Sequence, residues 1–259
     1  MTVLYVLAHF DDEALAAPLI RRAAQAGQDQ LFLYVADYRR PGSALRRLAE
    51  SRRFLSGFGI AAGRVTHLGA ETGWWDGELH RHATPAYERL RAAAPPGLER
   101  IVTAAWEGGH QDHDICAAMA VKLAAERGGV PVDQFSLYHG KGMPWIAYRG
   151  ASPLAENGPV QTVRLSAQEC ARWLGGLAAF RSQVPVWAGL LPATTLTLLR
   201  QGEFRYQSLR PERIGERPHA GALHYERMFK TPYGTVRRAV DALAADGLAP
   251  WTPSPADPA

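Results

Sequence analysis

The sequence predicts an α/β fold, a mainly parallel sheet with helices on both faces and a polar site at the carboxyl ends of its strands. Three observations lead there. Short apolar runs rich in Val, Leu, Tyr and Phe alternate with longer amphipathic stretches through the first half of the chain. Gly27, Gly57 and Gly128-Gly129 punctuate the amphipathic stretches where helices would end. Two clusters of imidazoles and carboxylates, His9-Phe10-Asp11-Asp12-Glu13 and His110-Gln111-Asp112-His113-Asp114, each stand just after one of the apolar runs.

Val3–Leu7 reads as the first strand, and Asp12–Ala26 as a helix ended by Gly27. Leu31–Ala36 is the second strand. Ser43 can cap a helix through about Gly57, with Leu45, Leu48, Ala49 and Leu55 on one side. Arg64–Leu68 is a short strand, Pro85–Ala94 a helix and Ile101–Ala105 the next strand. Gln111–Arg127 is a helix and Gln134–Tyr138 a strand. The βαβα order gives right-handed crossovers and a Rossmann-like layout. Residues 139–160, rich in Gly and Pro, read as a long loop with the potential to act as a lid. Ser166 starts a helix to about Arg181, residues 183–218 mix short apolar runs with Pro and Gly, and Thr235–Ala245 is helical. With no repeat and no clean linker, residues 1–248 read as one domain and 249–259 as a frayed tail.

Composition narrows the class. The chain has 259 residues, 47% hydrophobic and 21% charged, with a net charge of +4, which is ordinary for a globular protein. Basic residues are spread among acidic ones, so no nucleic-acid-binding stripe is expected. No apolar run reaches membrane-spanning length. Cys116 and Cys170 lack the spacing of a disulfide scaffold or a thiolate metal site. No leader precedes the first strand, and a cleaved one would remove His9, so a cytoplasmic location is expected.

The chemistry lies in the two clusters. His9 and Asp12 are three apart across a strand-to-helix turn, and His113 opens a helix in the second segment. Two imidazoles and a carboxylate form a familiar facial set for a divalent metal, with Zn2+ the default at a hydrolytic site. Asp11 is then free to take a proton from water, and His110 can polarise a carbonyl or protonate a leaving group. Alone, either cluster would read as a solvated turn or a helix cap. Their coincidence at two strand ends on one sheet edge favours the metal site.

Ala8-His9-Phe10-Asp11-Asp12-Glu13 resembles the AHPDDE signature, and His110-Gln111-Asp112-His113 the HPDH signature, of the LmbE/PIG-L family of zinc-dependent deacetylases of N-acetylglucosamine compounds. Weaker similarity runs through Arg47-x-x-Glu50, Asp76-Gly77 and Ser182-Gln183. The resemblance implies one Zn2+ per chain, another divalent metal remaining open, with His9, Asp12 and His113 as ligands. It implies Asp11 as general base and His110 as oxyanion partner or acid, tuned by Asp112. It places Arg47 and Asp76 where members hold sugar hydroxyls. The implied reaction removes an acetyl or longer acyl group from an N-acylated amino sugar. Members of the family often assemble, so a homo-oligomer is open.

Phe10 and Gln111 stand where the family has prolines, which points to altered loop stiffness rather than altered chemistry. Gly108-Gly109 lacks a tyrosine that some members place before the second motif. Trp75 could stack on a sugar or an aglycone, with Trp106 and Trp145 near the same mouth. Glu107 reads as an exposed acid in a Gly-rich loop. The competing readings are a nucleotide-sugar-binding or transferase domain and a non-catalytic sugar-binding member of the family. The first needs a phosphate loop after the first strand, and neither GxGxxG nor GxxxxGK[ST] stands there.

Overall fold

β1 (Thr2–Leu7) is buried along its whole length, as expected for a central strand covered on both faces. It lies between β2 (Asp29–Tyr34) and β4 (Leu98–Ala104), parallel to both. β3 (Val65–His67) extends the sheet beyond β2, and β5 (Val132–Phe135) beyond β4. Two later strands, β8 (Val160–Arg164) and β9 (Glu203–Ser208), close the far edge antiparallel, giving the order β3-β2-β1-β4-β5-β9-β8. The structure is a computed structural model that describes residues 2–245, so the tail expected at 249–259 lies outside the described residues.

Helices cover both faces, as the sequence predicts. α3 (Ala83–Ala93), α4 (Gln111–Glu126) and α9 (Tyr233–Ala245) pack on one core, which includes Leu4, Val6, Ile101 and Trp106. α1 (Ala17–Gln25), α2 (Ser43–Ser56), α5 (Ala167–Gly176) and α6 (Val184–Gln201) pack on the other, with Tyr5, Leu7, Phe32 and Val102. Alternate residues of β1 and β4 divide between the two cores, because successive side chains of a strand point to opposite faces.

The structure corrects several expectations. The stretch from Asp12 to Ala26 is not one helix: a 3-10 turn, Asp12–Ala14, comes first, and α1 starts at Ala17. Asp11 is left-handed at φ 99°, and Pro18 sits in the first turn of α1, where proline favours a helix start. Ser43 is the first residue of α2 and not its cap. Leu45 is 75% exposed, and α2 instead buries Glu50, Ser51, Phe54 and Leu55. The loop at 139–160 holds a small hairpin of β6 (Tyr138–His139) and β7 (Arg149–Gly150) and a 3-10 turn, Ala155–Asn157. Ser166 does cap α5, in a reciprocal pair with Glu169, but the helix stops at Gly176. Residues 183–218 contain the long α6, β9 and the short α7 (Pro211–Ile214).

Candidate metal centre

β1 and β4 are adjacent and parallel, so the loops after them open at the same sheet edge. The His9 N–H donates to Asp12 Oδ2 at 2.8 Å, closing the turn after β1 around the left-handed Asp11. The second cluster enters α4, with His110 at the N-cap and His113 in the first turn. Gly109 lets this loop close. A Cβ there would collide with the Tyr138 carbonyl oxygen, so only glycine permits the approach.

His113 Nε2 lies 3.2 Å from His9 Nδ1 and 3.2 Å from Asp12 Oδ1, while His9 Nδ1 and Asp12 Oδ1 are 3.8 Å apart. Ligand atoms around a tetrahedral Zn2+ lie about 3.3 Å apart when the bonds are about 2.0 Å long. The triangle therefore fits a divalent ion. Its surroundings fit as well. Asp76, Asp112 and Asp12 drive the His9 imidazole well above its usual pKa, although burial by itself would lower it. Such a cradle calls for a positive charge at its centre, and a divalent cation supplies it.

Asp112 orients His9. Its Oδ1 accepts the Leu79 N–H at 3.0 Å, and its Oδ2 accepts the Gly77 N–H at 2.7 Å. The same Oδ2 lies 3.2 Å from His9 Nε2. A proton on Nε2 satisfies this contact and leaves the Nδ1 lone pair facing the triangle, the arrangement a histidine ligand requires. The sequence-based expectation tied Asp112 to His110. The structure commits its carboxylate to His9 and the Gly77–Leu79 backbone, and it reaches His110 through its own N–H, which donates to Nδ1 at 3.2 Å.

That N–H fixes the proton of a neutral His110 on Nε2, the nitrogen 3.7 Å from Asp76 Oδ1. His110 is neutral near pH 7, because burial and the neighbouring His9 and His113 push its pKa down to about 4. Asp11 moves the other way: burial, then the charges of Asp12 and Glu13, push its carboxyl well above the usual range. Asp12 stays far below it: the cost of burial is outweighed by the charge interactions and hydrogen bonds that His113 and His9 make with its carboxylate.

A cavity of about 350 Å³ opens over this floor, and His9, Asp11, Asp12, Asp76, His110 and His113 all line it. A second, polar cavity meets it at Asp76 and includes Arg47, Tyr38 and Ser182. The Arg47 guanidinium stacks 4.5 Å from the Tyr38 ring centroid. Trp75 lines neither cavity; its ring carries the Arg39 guanidinium at 5.1 Å. Trp106 is fully buried, its Nε1–H bonded to the Glu216 carbonyl, and Trp145 is exposed and lines neither cavity.

The two replaced prolines turn out to be structural fasteners. The Phe10 N–H, which proline lacks, donates to the Tyr38 hydroxyl at 2.8 Å, and its ring packs against Tyr34 and His67. Gln111 Nε2 donates to the Gly77 carbonyl at 2.8 Å, tying the start of α4 to the loop that carries Asp76. Glu107 is buried, not exposed. It accepts N–H bonds from Leu137 and Tyr138 and a hydroxyl bond from Ser136, and burial pushes it up to about 7. Gln183, part of the weaker similarity, lines the first cavity, whereas sequence reading missed Tyr138, Tyr148, Trp187 and Leu190, which wall it. They come from distant segments with no motif between them.

The fold and the site define an α/β protein with a histidine–carboxylate cluster able to hold a metal at the carboxyl edge of its sheet. Residues 4–124 match the model of the family PIG-L, described as GlcNAc-PI de-N-acetylase. That domain, just under half of the chain, is similar to the PIG-L (LmbE-like) family. Among solved structures it resembles teicoplanin deacetylase in a zinc-inhibited form, at 16% identity and a TM-score of 0.62 over 81% of this chain and 98% of that one. It also resembles the A40926 pseudoaglycone deacetylase, at 16% identity and a TM-score of 0.57 over 85% and 98%. The N,N'-diacetylchitobiose deacetylase of Pyrococcus horikoshii follows at 15% identity and a TM-score of 0.54 over 81% and 82%. No curated protein matches the sequence. No helix among the described residues is long and apolar enough to cross a membrane.

Proposed function

We propose that this chain is a zinc-dependent N-deacetylase of an amino sugar or its glycoside, with His9, Asp12 and His113 holding the metal. The observation that carries the reading is the triangle of His9 Nδ1, His113 Nε2 and Asp12 Oδ1 on the floor of a cavity that Asp11 also lines. Zn2+ held there would supply a Lewis acid that acidifies water and polarises an amide carbonyl. Asp11, with its raised pKa, removes the proton from the attacking water. His110, which lines the same cavity and keeps its proton on Nε2, would donate to the oxygen on which negative charge develops and stabilise the tetrahedral stage. Proton delivery to the nitrogen then releases the amine and the carboxylate. Arg47 and Asp76, at the junction with the polar cavity, hold the sugar hydroxyls. Trp75 has no part in this reading. A single domain over residues 1–248 and a cytoplasmic location belong to the same proposal; the two free cysteines, Cys116 and Cys170, agree with the latter.

The test is metal content together with acetate release from a panel of N-acetylglucosamine glycosides, with Asp11→Asn run beside the parent. We expect about one zinc per chain in both proteins, and turnover lower by a factor of about 10² to 10⁴ in the variant. A protein that takes up no metal after zinc is added back would show that the ligand assignment is wrong.

A further inference from the structure

Two cavities meet at Asp76, and they differ in chemistry. The polar one is built from Arg39, Arg46, Arg47, Tyr38 and Ser182. The one above the metal-binding floor has walls of Val186, Trp187 and Leu190 from α6, Tyr148 ahead of β7, and Met228 and Phe229 at the end of α8 (His224–Met228). Val186, Met228 and Phe229 are exposed at its rim, so the apolar surface continues outward from the floor. A hydroxyl-rich sugar suits the first cavity and gains little in the second, where its hydroxyls would lose water without partners. An acetyl methyl is about the size of one water molecule, whose share of liquid volume is about 30 Å³. The cavity holds about 350 Å³.

We infer that the acyl group this enzyme removes is a medium or long aliphatic chain, seated against Trp187, Leu190 and Phe229 while the sugar lies toward Arg47 and Asp76. This rests on the N-deacetylase reading and deepens it by naming the acid that leaves. The step balances as a hydrolysis. The acyl carbon–nitrogen bond breaks and a carbon–oxygen bond to water forms. One proton of the water goes to the nitrogen, and a fatty acid and a free amine result. No oxidant or other co-reactant is needed.

Matched probes separate the acyl chain from an apolar aglycone, which would present the same chemistry to the wall. The zinc-loaded enzyme would be given methyl glycosides of glucosamine N-acylated with acetyl, hexanoyl or octanoyl groups, and the octyl glycoside of N-acetylglucosamine. Each methylene buried against an apolar wall is worth up to about fourfold in binding. We expect kcat/KM for the octanoyl amide to exceed that for the acetyl amide by at least about tenfold. Val186→Glu, a change at the exposed rim, should bring that ratio toward one. Octanoate should quench Trp fluorescence in the metal-free protein, and acetate should not. Equal rates for all chain lengths, or an advantage confined to the octyl glycoside, would overturn the acyl assignment while leaving the deacetylase reading intact. Release from none of the amides by a zinc-loaded protein would sink both.

Discussion

Replacing Glu107 with Gln tests how burial governs the loop behind the metal centre. Glu107 Oε1 accepts the Leu137 and Tyr138 N–H groups at 2.8 and 2.9 Å, and Ser136 Oγ lies 2.6 Å from Oε2 and 3.1 Å from the Ser152 carbonyl oxygen. Those bonds favour the carboxylate, but burial outweighs them and lifts the pKa from 4.5 to about 7. The folded chain therefore keeps a proton that the unfolded chain has lost between those values. Stability then falls as pH rises through this window and levels off above it. At about 1.4 kcal/mol per pH unit, the loss approaches about 3 kcal/mol by pH 8. Gln is nearly isosteric with the protonated acid: its oxygen can take both N–H bonds, and its amide can donate to Ser136 while Ser136 donates to Ser152. Urea unfolding of the metal-free proteins at pH 5, 6, 7 and 8 measures the effect. Asp114, raised to about 8 chiefly by burial, adds its own slope to both proteins; because the Glu107 charge contributes to that rise, the slope is smaller in the variant and the difference keeps its sign. We expect the two to be close at pH 5 and Glu107→Gln to be more stable by about 2–3 kcal/mol at pH 8. A variant less stable than the parent at pH 8, or parallel curves throughout, would refute the argument that burial wins over the hydrogen bonds.

Other perturbations probe the same construction. Gln111→Ala removes the buried bond to Gly77 and should cost about 1–2 kcal/mol by urea unfolding, with a weaker hold on zinc in a chelator competition. Gly109→Ala puts a methyl against the Tyr138 carbonyl, so the loop carrying His110 must move; kcat should fall at least about tenfold with less effect on metal content. Leu45→Glu should change stability by less than about 0.5 kcal/mol in a thermal melt, since Leu45 faces solvent and not the core.

Much of the fold was legible because the first half repeats one local logic. β1, β2, β4 and α4 each carry their periodicity within a single segment, and their boundaries fall within a few residues of expectation. α6 was not legible. It is apolar on most sides, has Pro185 in its first turn and Pro192 inside, and so shows neither helical amphipathicity nor a side-chain cap at its start, although Gly202 ends it in the left-handed conformation. The opening turn hides for a related reason: Asp12 to Ala26 has the composition of one helix, but the left-handed Asp11 leads into a 3-10 turn, Asp12–Ala14, before α1 starts at Ala17.

The sequence by itself determined a mainly parallel sheet with helices on both faces, and it placed two imidazole–carboxylate clusters at one edge. Both follow from contacts between neighbours along the chain and from the handedness of βαβ crossovers. Only the tertiary structure decided which carboxylate serves which histidine. Asp112 stands beside His110 in sequence, yet the Gly77 and Leu79 N–H groups turn its carboxylate to His9. Likewise, Glu107 lies in a glycine-rich loop that suggests exposure, and the chain from Ser136 to Tyr138 buries it. Periodicity reports what lies next along the chain, whereas the protonation state and the bonding of a buried group depend on what folds over it.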